Sequence, residues 1–424
     1  MNKYPLSAGA ARGDITPGDN ILPLPFVFSV VMDRIADPIY VRVLDLDDGQ
    51  KRVLFITFDM GIIPYPDETL KFICDITGLS KESIFMAATH THEVPFIGFS
   101  MLPMPDAEEK HRRWYSEIQK ALKDAIKQAG ENKKPARIGY ATGKSYINVN
   151  RDEIIDGKSE LGNNFERPSD KTLALVRLED EEGSPIALIV NYAVHAVVMN
   201  GCMVDGVIKI SGDLPGRTSA MLEEKLGGAV VLWTSGAAGD QNPRIMTQYV
   251  TEMKDGLPVV KSLGEAGYMI LDFLTNEHVR DILAVHQSLV CDRNEAEIFV
   301  AERLAVCPRR LTPQNAEVAE SSQNAAGSDP TVSYTLRMLT VGDLVFEGIS
   351  AEVVTTIGTA LKIASPYEKT MVVTHVNNYD GYVTDDWGYE NHTFEAIGTF
   401  VQKGYAQPAF LKGFAEMFDE KNHI

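Results

Sequence analysis

The stretch VLFITFDMGIIPYPDETLKFICDITGLSKESIFMAATHTHEVP (residues 53–95) joins two short apolar runs through a segment with helical spacing. VLFITF (53–58) and SIFMAAT (83–89) contain the β-branched and aromatic residues that favour strands. DETLKFICDITG (67–78) has apolar residues at helical spacing and ends in glycine, a common helix stop. A strand, a helix and a second strand in this order predict an α/β fold.

The same alternation continues along the chain. Further strands are predicted at VRVLDL (41–46), LALVRL (173–178), IALIVNY (186–192), VVLWTS (230–235), LVFEGI (344–349) and MVVTHV (371–376). Further helices are predicted at residues 108–130, 216–228 and 352–364. Because the strands are apolar almost throughout, we expect burial on both faces. The predicted fold class is α/β, with mixed, largely buried β-sheets flanked by helices.

The domain organisation is predicted to be simple. The 424 residues contain no repeat or linker that we recognise, so we expect one domain over residues 1–424. Residues 292–329 contain RNEAEIFVAERLAV (293–306) and continue with a polar tract, which predicts an irregular excursion near 292–330.

Composition excludes several classes of partner. The chain has 59 acidic and 40 basic residues and a net charge of −19, which disfavours nucleic acid and anionic lipid surfaces. No apolar run is long enough for an integral membrane segment, and the N-terminus lacks the apolar core of a secretory signal, so a cytoplasmic protein is expected. The 4 cysteines lie far apart and are expected to be reduced thiols. A homo-oligomer is compatible with this composition.

Histidines follow two of the predicted strands. In a strand, His90 and His92 of AATHTHEVP (87–95) would point to the same face, at the carboxyl end where ligands bind in open α/β sheets. His195 follows the strand of IALIVNYAVH (186–195) in the same way. These residues are therefore candidates for a metal site, and two imidazoles in a surface loop are the alternative.

Carboxylates and tyrosines offer further candidate ligands. Glu347 and Glu352 surround a predicted strand-to-helix turn, where a carboxylate would complete a zinc shell, although Glu352 also suits the first turn of a helix. NNYDGYVTDDWGYE (377–390) is a turn-forming segment with an unusual load of aromatic residues, for which packing is the alternative explanation. The His-Glu-x-x-His helix motif of zinc proteases is absent. His278 and His286 lie in a helix-like segment, which disfavours a barrel-type amidohydrolase.

Taken in order, the motifs resemble those of the neutral ceramidase catalytic domain, a family of zinc-dependent amidases that cleave the N-acyl bond of ceramide. The motifs that carry this resemblance are GAARGDITP (9–17), THTH (89–92), NVNR (148–151), NYAVH (191–195), SGDLPGR (211–217), TSGAAGDQNP (234–243), ISAE (349–352) and NNYDGYVT (377–384). The resemblance implies a ceramidase-like fold without the C-terminal immunoglobulin-like domain of the larger ceramidases.

The resemblance also implies roles for individual residues. It implies one Zn²⁺ per chain with four protein ligands, which are His90, His195, Glu352 and Tyr382. His92 would be the general acid and base beside the metal, and Arg151 would orient or polarise the substrate carbonyl. Ser235 would be a substrate contact.

One position departs from the family pattern. The family has a second active-site tyrosine twelve residues after the metal-binding tyrosine, and this chain has Phe394 there. A phenol can donate a hydrogen bond to a developing oxyanion and a phenyl ring cannot. Tyr389 is the nearest candidate to substitute for it.

The first expected function is hydrolysis of an N-acyl amide in a small-molecule or lipid-like substrate through a zinc-activated water. The departure at Phe394 leaves ceramide itself open as the substrate. A zinc esterase, or a hydrolase of a small polar amide, is the second interpretation. A non-catalytic protein with a structural zinc is the third, because four protein ligands are typical of closed structural sites.

Overall fold

The computed structural model describes residues 4–25, 31–97, 106–254, 257–310 and 330–423. In chain order, the strands are β1 (Tyr4–Pro5), β2 (Ser7–Asp14), β3 (Leu24–Pro25), β4 (Val31–Ile35), β5 (Tyr40–Asp47), β6 (Arg52–Phe58), β7 (Ile84–Ala88), β8 (Lys134–Pro135), β9 (Arg137–Lys144), β10 (Asn148–Ile155), β11 (Lys158–Asn164), β12 (Thr172–Glu179), β13 (Pro185–Tyr192), β14 (Ile208–Ile210), β15 (Val230–Ser235), β16 (Gln241–Pro243), β17 (Gln248–Lys254), β18 (Leu257–Ser262), β19 (Glu295–Ala296), β20 (Ile298–Pro308), β21 (Thr331–Val341), β22 (Leu344–Ile349), β23 (Glu352–Val353), β24 (Lys369–Val373) and β25 (Tyr382–Val383). The helices are α1 (Pro66–Thr77), α2 (Ala107–Glu131), α3 (Asp213–Lys225), α4 (Gly267–Ser288), α5 (Thr355–Ala364), α6 (Asp386–Asn391), α7 (Phe394–Gly398) and α8 (Ala406–Asn422).

Within the described residues, one arrangement of strands and helices occurs three times. We call the copies the first unit (7–131), the second unit (137–288) and the third unit (298–422). Each unit has three successive antiparallel strands, and a helix then leads to a fourth strand that lies parallel to the third. The strand orders are β2-β5-β6-β7, β9-β12-β13-β15 and β20-β21-β22-β24, with α1, α3 and α5 as the connecting helices. A second helix, α2, α4 or α8, then packs on the first strand of its own unit.

The sequence shows no internal repeat, yet the structure contains one repeated connectivity. The repeated feature is the connectivity rather than the residues, and different elements interrupt the units. β3 and β4 lie between the first two strands of the first unit, and β10 and β11 lie at the same place in the second unit. These unequal insertions remove any fixed period from the sequence, which is the signal that a repeat search needs.

The predicted irregular excursion near 292–330 is partly wrong, because a regular strand forms within it. Ile298–Pro308 form β20, which pairs antiparallel with all of Thr331–Val341. Its exposed positions include Leu304 and Val306, so β20 is an outer strand whose apolar residues are not all buried. Residues 311–329, which carry most of the polar tract, lie outside the described residues. The prediction of one domain over residues 1–424 stays a prediction.

The three sheets turn one face toward a shared core. Phe55 of the first unit stacks on Phe85 of the same sheet at 4.9 Å and lies 5.2 Å from Phe346 of the third unit, measured between ring centroids. Leu232 contributes to the same core from the second unit. Each such side chain stabilises the fold by about 2 kcal/mol on burial. This core therefore holds the carboxyl ends of strands from all three units at fixed distances.

Helices cover the outer face of each sheet. α1 begins with Pro66 in its first turn, where no backbone N–H is needed, and ends at Gly78 in the left-handed conformation with φ 71°. α2 buries Trp114 against the first sheet, and α8 buries Phe410 and Phe414 against the third. The α/β fold class with mixed, buried sheets is confirmed, and the predicted strands and helices named above lie where the sequence places them, within a few residues at their ends.

Among the described helices, none combines the length and the apolar character that crossing a lipid bilayer requires.

Candidate metal centre

The candidate ligands lie just after equivalent strands of the three units. The third strand ends at Tyr192 in the second unit and at Ile349 in the third, and the third residue after each end is a candidate ligand: His195 and Glu352. In the first unit the equivalent residue is Gly61, three positions after the end of β6. The shared core thus brings one such position from each unit to a common centre.

The fourth strands contribute a second set of equivalent positions. β7 ends at Ala88 and β24 ends at Val373, and the second residue after each end is a histidine, His90 in the first unit and His375 in the third. Both histidines have left-handed backbone conformations, with φ 60° and 56°. The equivalent residue of the second unit is Ala237.

Backbone carbonyls fix the orientation of two histidine rings. Nδ1 of His90 lies 2.7 Å from the carbonyl oxygen of Gly61, and Nδ1 of His195 lies 2.7 Å from that of Ala238. Because a carbonyl only accepts hydrogen bonds, each Nδ1 must carry the hydrogen, and each Nε2 then presents a lone pair. Carbonyl-anchored imidazoles of this kind are the usual arrangement for metal ligands.

The free nitrogens point at one carboxylate. Nε2 of His90 lies 3.2 Å from Oε1 of Glu352, and Nε2 of His195 lies 2.9 Å from Oε2. Both Glu352 oxygens are buried and accept no hydrogen bond from the described residues. Lone pairs that face each other at this distance repel unless a proton or a cation lies between them. The donor set therefore fits a divalent metal ion with nitrogen and oxygen ligands.

Tyr382 completes the predicted ligand set. β25 pairs in parallel with β23, which places Tyr382 directly opposite Glu352. Its hydroxyl oxygen lies 3.2 Å from Nε2 of His195 and accepts a hydrogen bond from Nη2 of Arg151, also at 3.2 Å. The structure thus brings together the four residues that the sequence predicts as zinc ligands, and their role as ligands stays a prediction.

The protonation states of the centre suit metal binding. Burial lowers the pKa of His195, and burial together with the neighbouring His90 lowers the pKa of His92 and of His375 well below the ordinary histidine value. These imidazoles are therefore neutral at neutral pH, as ligands must be.

The two histidines of THTH converge for a reason that differs from the predicted one. The sequence places both on the pleat of a strand, but β7 ends at Ala88 and His90 has a left-handed φ of 60°. The chain therefore turns after the strand, and Thr91 pairs with Ala196 of the second unit. The two rings still meet, with 3.1 Å between the Nε2 atoms of His90 and His92.

A buried ion pair holds Arg151 beside the centre. Nε and Nη2 of Arg151 lie 2.7 and 2.6 Å from Oε1 of Glu395. Nη1 donates to the side-chain oxygen of Asn242 at 3.3 Å. Burial and the neighbouring Glu395 raise the pKa of Asp152 to about 9. Oδ1 of Asp152 and Oε2 of Glu395 accept no hydrogen bond from a described donor, which fits one proton shared between the two carboxyl groups.

The remaining predicted site residues have different surroundings. Ser235 ends β15, and its carbonyl accepts a hydrogen bond from the backbone N–H of Thr374, next to His375. The ring of Phe394 lies 5.7 Å from the Tyr382 ring and is 48% exposed, so it borders the centre on the solvent side. Tyr389 donates its hydroxyl to the carbonyl of Val401 at 2.6 Å, and any role toward a substrate requires that bond to be exchanged.

Glu347 does not take part in this cluster. It lies on the same face of β22 as Val345 and Ile349, which belong to the outer core of the third unit. Burial raises its pKa to about 8, and its Oε2 has no hydrogen-bond partner among the described residues.

Three residues of the site were not predicted from the sequence. His375 follows a predicted strand as His90 and His195 do, and applying the same criterion to MVVTHV would have found it. Tyr379 stacks on His375 with 5.9 Å between ring centroids. Glu395 gives no local signal, because only the fold brings it to Arg151, 244 residues away in the sequence.

Comparisons with known proteins agree with this geometry. Residues 35–259 match the family described as neutral/alkaline non-lysosomal ceramidase, N-terminal. The chain is 25% identical to neutral ceramidase B of Dictyostelium discoideum over 193 residues, which are 43% of this chain and 26% of that protein. It is 26% identical to neutral ceramidase of Drosophila melanogaster over 260 residues, which are 56% of this chain and 36% of that protein. The chain thus spans about a third or less of these relatives.

The fold matches a solved structure over nearly its whole length. The crystal structure of neutral ceramidase from Pseudomonas aeruginosa superposes with a TM-score of 0.73 at 18% sequence identity. The match covers 98% of this chain and 74% of that chain. At this identity the likeness concerns the fold.

Proposed function

Because the chain belongs to the neutral/alkaline non-lysosomal ceramidase family, we propose that it is a zinc-dependent hydrolase that cleaves the amide bond of an N-acylated substrate. The proposed substrate class is a small molecule or lipid with an N-acyl group, of which ceramide is the first example to test, since the relatives are named neutral ceramidases.

The observation that carries this proposal is the convergence of His90, His195 and Tyr382 on Glu352, a buried carboxylate whose oxygens accept no hydrogen bond from the part of the chain that the structure describes. Zinc bound by nitrogen and oxygen ligands lowers the pKa of a water molecule to about 7 and polarises a carbonyl group. The four residues would hold the ion, and the carbonyls of Gly61 and Ala238 hold the two imidazoles in the required orientation.

His92 is proposed to carry the proton. Burial and the neighbouring His90 hold its pKa well below the ordinary histidine value, so the ring is in the neutral form that a general base requires. The same group then returns the proton to the leaving amine. Nε2 lies 3.1 Å from Nε2 of His90, which is close enough to act on a group bound at the centre.

Arg151 is proposed to stabilise the carbonyl oxygen as negative charge develops on it. Its positive charge is permanent, because burial disfavours the charged form but Glu395 and Tyr382 more than offset this and raise its pKa. Glu395 and Asn242 fix two edges of the guanidinium, and the hydrogen bond to Tyr382 directs Nη2 toward the ligands. Loss of one such donor typically lowers the rate by about two to three orders of magnitude.

Phe394 favours a second candidate function, which is ester hydrolysis. Its phenyl ring lies 5.3 Å from the Arg151 guanidinium, where it offers no hydrogen-bond donor. An ester has a better leaving group than an amide and needs less stabilisation of the developing oxyanion. A centre with one donor fewer therefore suits esters, or small activated amides, better than it suits unactivated amides.

The test compares zinc-loaded protein and its variants on a long-chain N-acyl sphingoid base, a short polar N-acyl amide and an ester of the same acyl group. We expect His90→Ala to lose both zinc and turnover, whereas His92→Ala retains zinc and loses turnover. His423→Ala removes an exposed histidine near the C-terminus and serves as the matched control, with full activity expected.

Full activity in both His90→Ala and His92→Ala would refute the proposed roles. Turnover of the ester alone would support the second candidate. Tight zinc binding without turnover of any of the three substrates would instead favour a binding protein with a structural zinc.

A further inference from the structure

His375 lies in the metal centre, yet neither the predicted ligand set nor the proposed proton transfer uses it. Its side chain is only 2% exposed, and Nδ1 accepts or donates no hydrogen bond within the described residues. Its backbone has φ 56°, a conformation that non-glycine residues adopt only at a cost in stability. A leucine or phenylalanine would fill this space without burying an unpaired nitrogen. A ligand role would account for the histidine.

The position of His375 relative to Glu352 supports such a role. A ring nitrogen of His90, a carboxylate oxygen of Glu352 and a ring nitrogen of His375 all lie within 4.8 Å of one another, and all three residues are buried. Tyr379 adds a phenol oxygen to this cluster, since its ring stacks on His375 with 5.9 Å between ring centroids. A nitrogen, a carboxylate and a phenol together suit zinc or a similar first-row divalent ion.

The ring geometry separates His375 from the ion held by His90. The two imidazoles are stacked, with 4.0 Å between their centroids and an angle of 16° between their planes. A zinc ion lies about 2 Å from the ligating nitrogen and close to the plane of its ring. An ion in the plane of one ring therefore lies over the face of the other, where that ring has no lone pair. Two ions, one in each plane, would therefore occupy separate positions, as in two-metal hydrolases.

Glu352 can serve both positions. Oε1 and Oε2 face His90 and His195, which are proposed ligands of the first ion, and one of these carboxylate oxygens also lies within 4.8 Å of a ring nitrogen of His375. Neither oxygen accepts a hydrogen bond from a described donor, so lone pairs remain on both for cations. A carboxylate in this position can bridge two metal ions.

We propose that the centre binds a second divalent metal ion, held by His375 and a bridging Glu352 with Tyr379 as a further oxygen ligand, beside the ion held by His90, His195 and Tyr382. The second position is the third unit's counterpart of the position that His90 occupies in the first unit. This inference rests on the proposed zinc centre and adds to it a second ion that would help to position or polarise the substrate.

The test measures metal stoichiometry, so it does not depend on finding the substrate. Protein stripped with a chelator is dialysed to equilibrium against buffered Zn²⁺, and bound zinc per chain is measured by inductively coupled plasma mass spectrometry. We expect two ions per wild-type chain and one in His375→Phe, which keeps a ring stacked on His90 but removes the nitrogens. His375→Gln, which places a smaller polar side chain there, is the second variant and is also expected to bind one ion.

His111→Phe is the matched control, because His111 is also buried, with an unpaired Nε2, but lies on α2 outside this cluster. It is expected to bind two ions, and a loss of zinc from this variant would overturn the assignment to His375. One ion in the wild type, two ions in His375→Phe, or none in His375→Phe would each overturn the proposal. No zinc in the wild type would overturn the proposed zinc function as well, whereas two ions without amide turnover would contradict only that function.

Discussion

Replacing Glu395 by glutamine is expected to cost less stability than breaking a buried ion pair normally does, because Asp152 can take over the negative charge. Glu395 is fully buried, and the Arg151 side chain is 5% exposed. Two opposite charges about 4 Å apart attract by about 4 kcal/mol at an effective dielectric constant of 20. Removing one partner of a buried pair typically costs about 3–5 kcal/mol.

The neighbouring carboxyl group changes that expectation. Asp152 is protonated at neutral pH because burial and Glu395 raise its pKa to about 9. When Glu395 becomes a neutral amide, one cause of that shift is lost and the attraction of Arg151 remains, so Asp152 ionises and pairs with the guanidinium. We therefore expect Glu395→Gln to cost about 1–2 kcal/mol and Asp152→Asn about 1 kcal/mol or less. The double variant leaves Arg151 without a carboxylate and should cost the full amount of about 3–5 kcal/mol.

The assay is a double-mutant cycle on metal-free protein, so that metal binding does not contribute to stability. Urea denaturation at pH 7.5, followed by tryptophan fluorescence, gives the free energy of unfolding of the four proteins. The cost in the double variant should exceed the sum of the single costs by about 1 kcal/mol or more. If the costs add within about 0.5 kcal/mol, Asp152 does not replace Glu395 and the shared-proton interpretation is refuted.

Three further predictions concern other positions. Gly61→Ala should weaken zinc binding about tenfold or more, because the added Cβ would lie 1.6 Å from the Phe96 ring and would displace the carbonyl that orients His90. Competition with a chelator measures the zinc affinity, and an unchanged affinity would show that the Gly61 carbonyl does not orient a ligand. The wild type should lose stability as the pH rises from 4.5 to about 8, because the folded protein keeps a proton on Glu347 that the unfolded chain releases, and Glu347→Gln should reduce this loss. Urea denaturation across this pH range measures the free energy of unfolding of both proteins, and an equal pH dependence in the two would contradict the prediction. Phe394→Tyr should raise kcat for an amide about tenfold or more relative to the matching ester, since the new hydroxyl adds a donor; an equal change for both substrates would show that the hydroxyl does not reach the oxyanion.

The sequence predicts local structure well wherever one segment carries its own signal. VLFITF (53–58), with its apolar run, and DETLKFICDITG (67–78), with its helical spacing, lie in β6 and α1. His90 and His195 could be singled out because each follows an apolar run, and the structure brings both to one carboxylate. In these cases the residues that decide the structure are neighbours in the chain.

Features that depend on distant residues could not be predicted in this way. The repeated units share connectivity rather than sequence, so no periodic signal marks them. Glu395 reaches Arg151 only because α7 packs against β11, which pairs with β10, the strand that carries the arginine. The left-handed turn at His90 is accompanied by hydrogen bonds from the N–H groups of Thr89 and His90 to the carbonyls of Phe58, the last residue of β6, and Met60, two residues after it.

Because the architecture is built from three units, a metal ion at the centre would also affect how the protein unfolds. The proposed ligands of the first ion come from all three units, with His90 from the first, His195 from the second, and Glu352 and Tyr382 from the third. An ion with these ligands is a cross-link between segments almost 300 residues apart, so separating any one unit from the others breaks at least one bond to the metal. With metal bound, the three units should therefore unfold in one cooperative step, and after chelation each unit is held only by its share of the common core and can open separately.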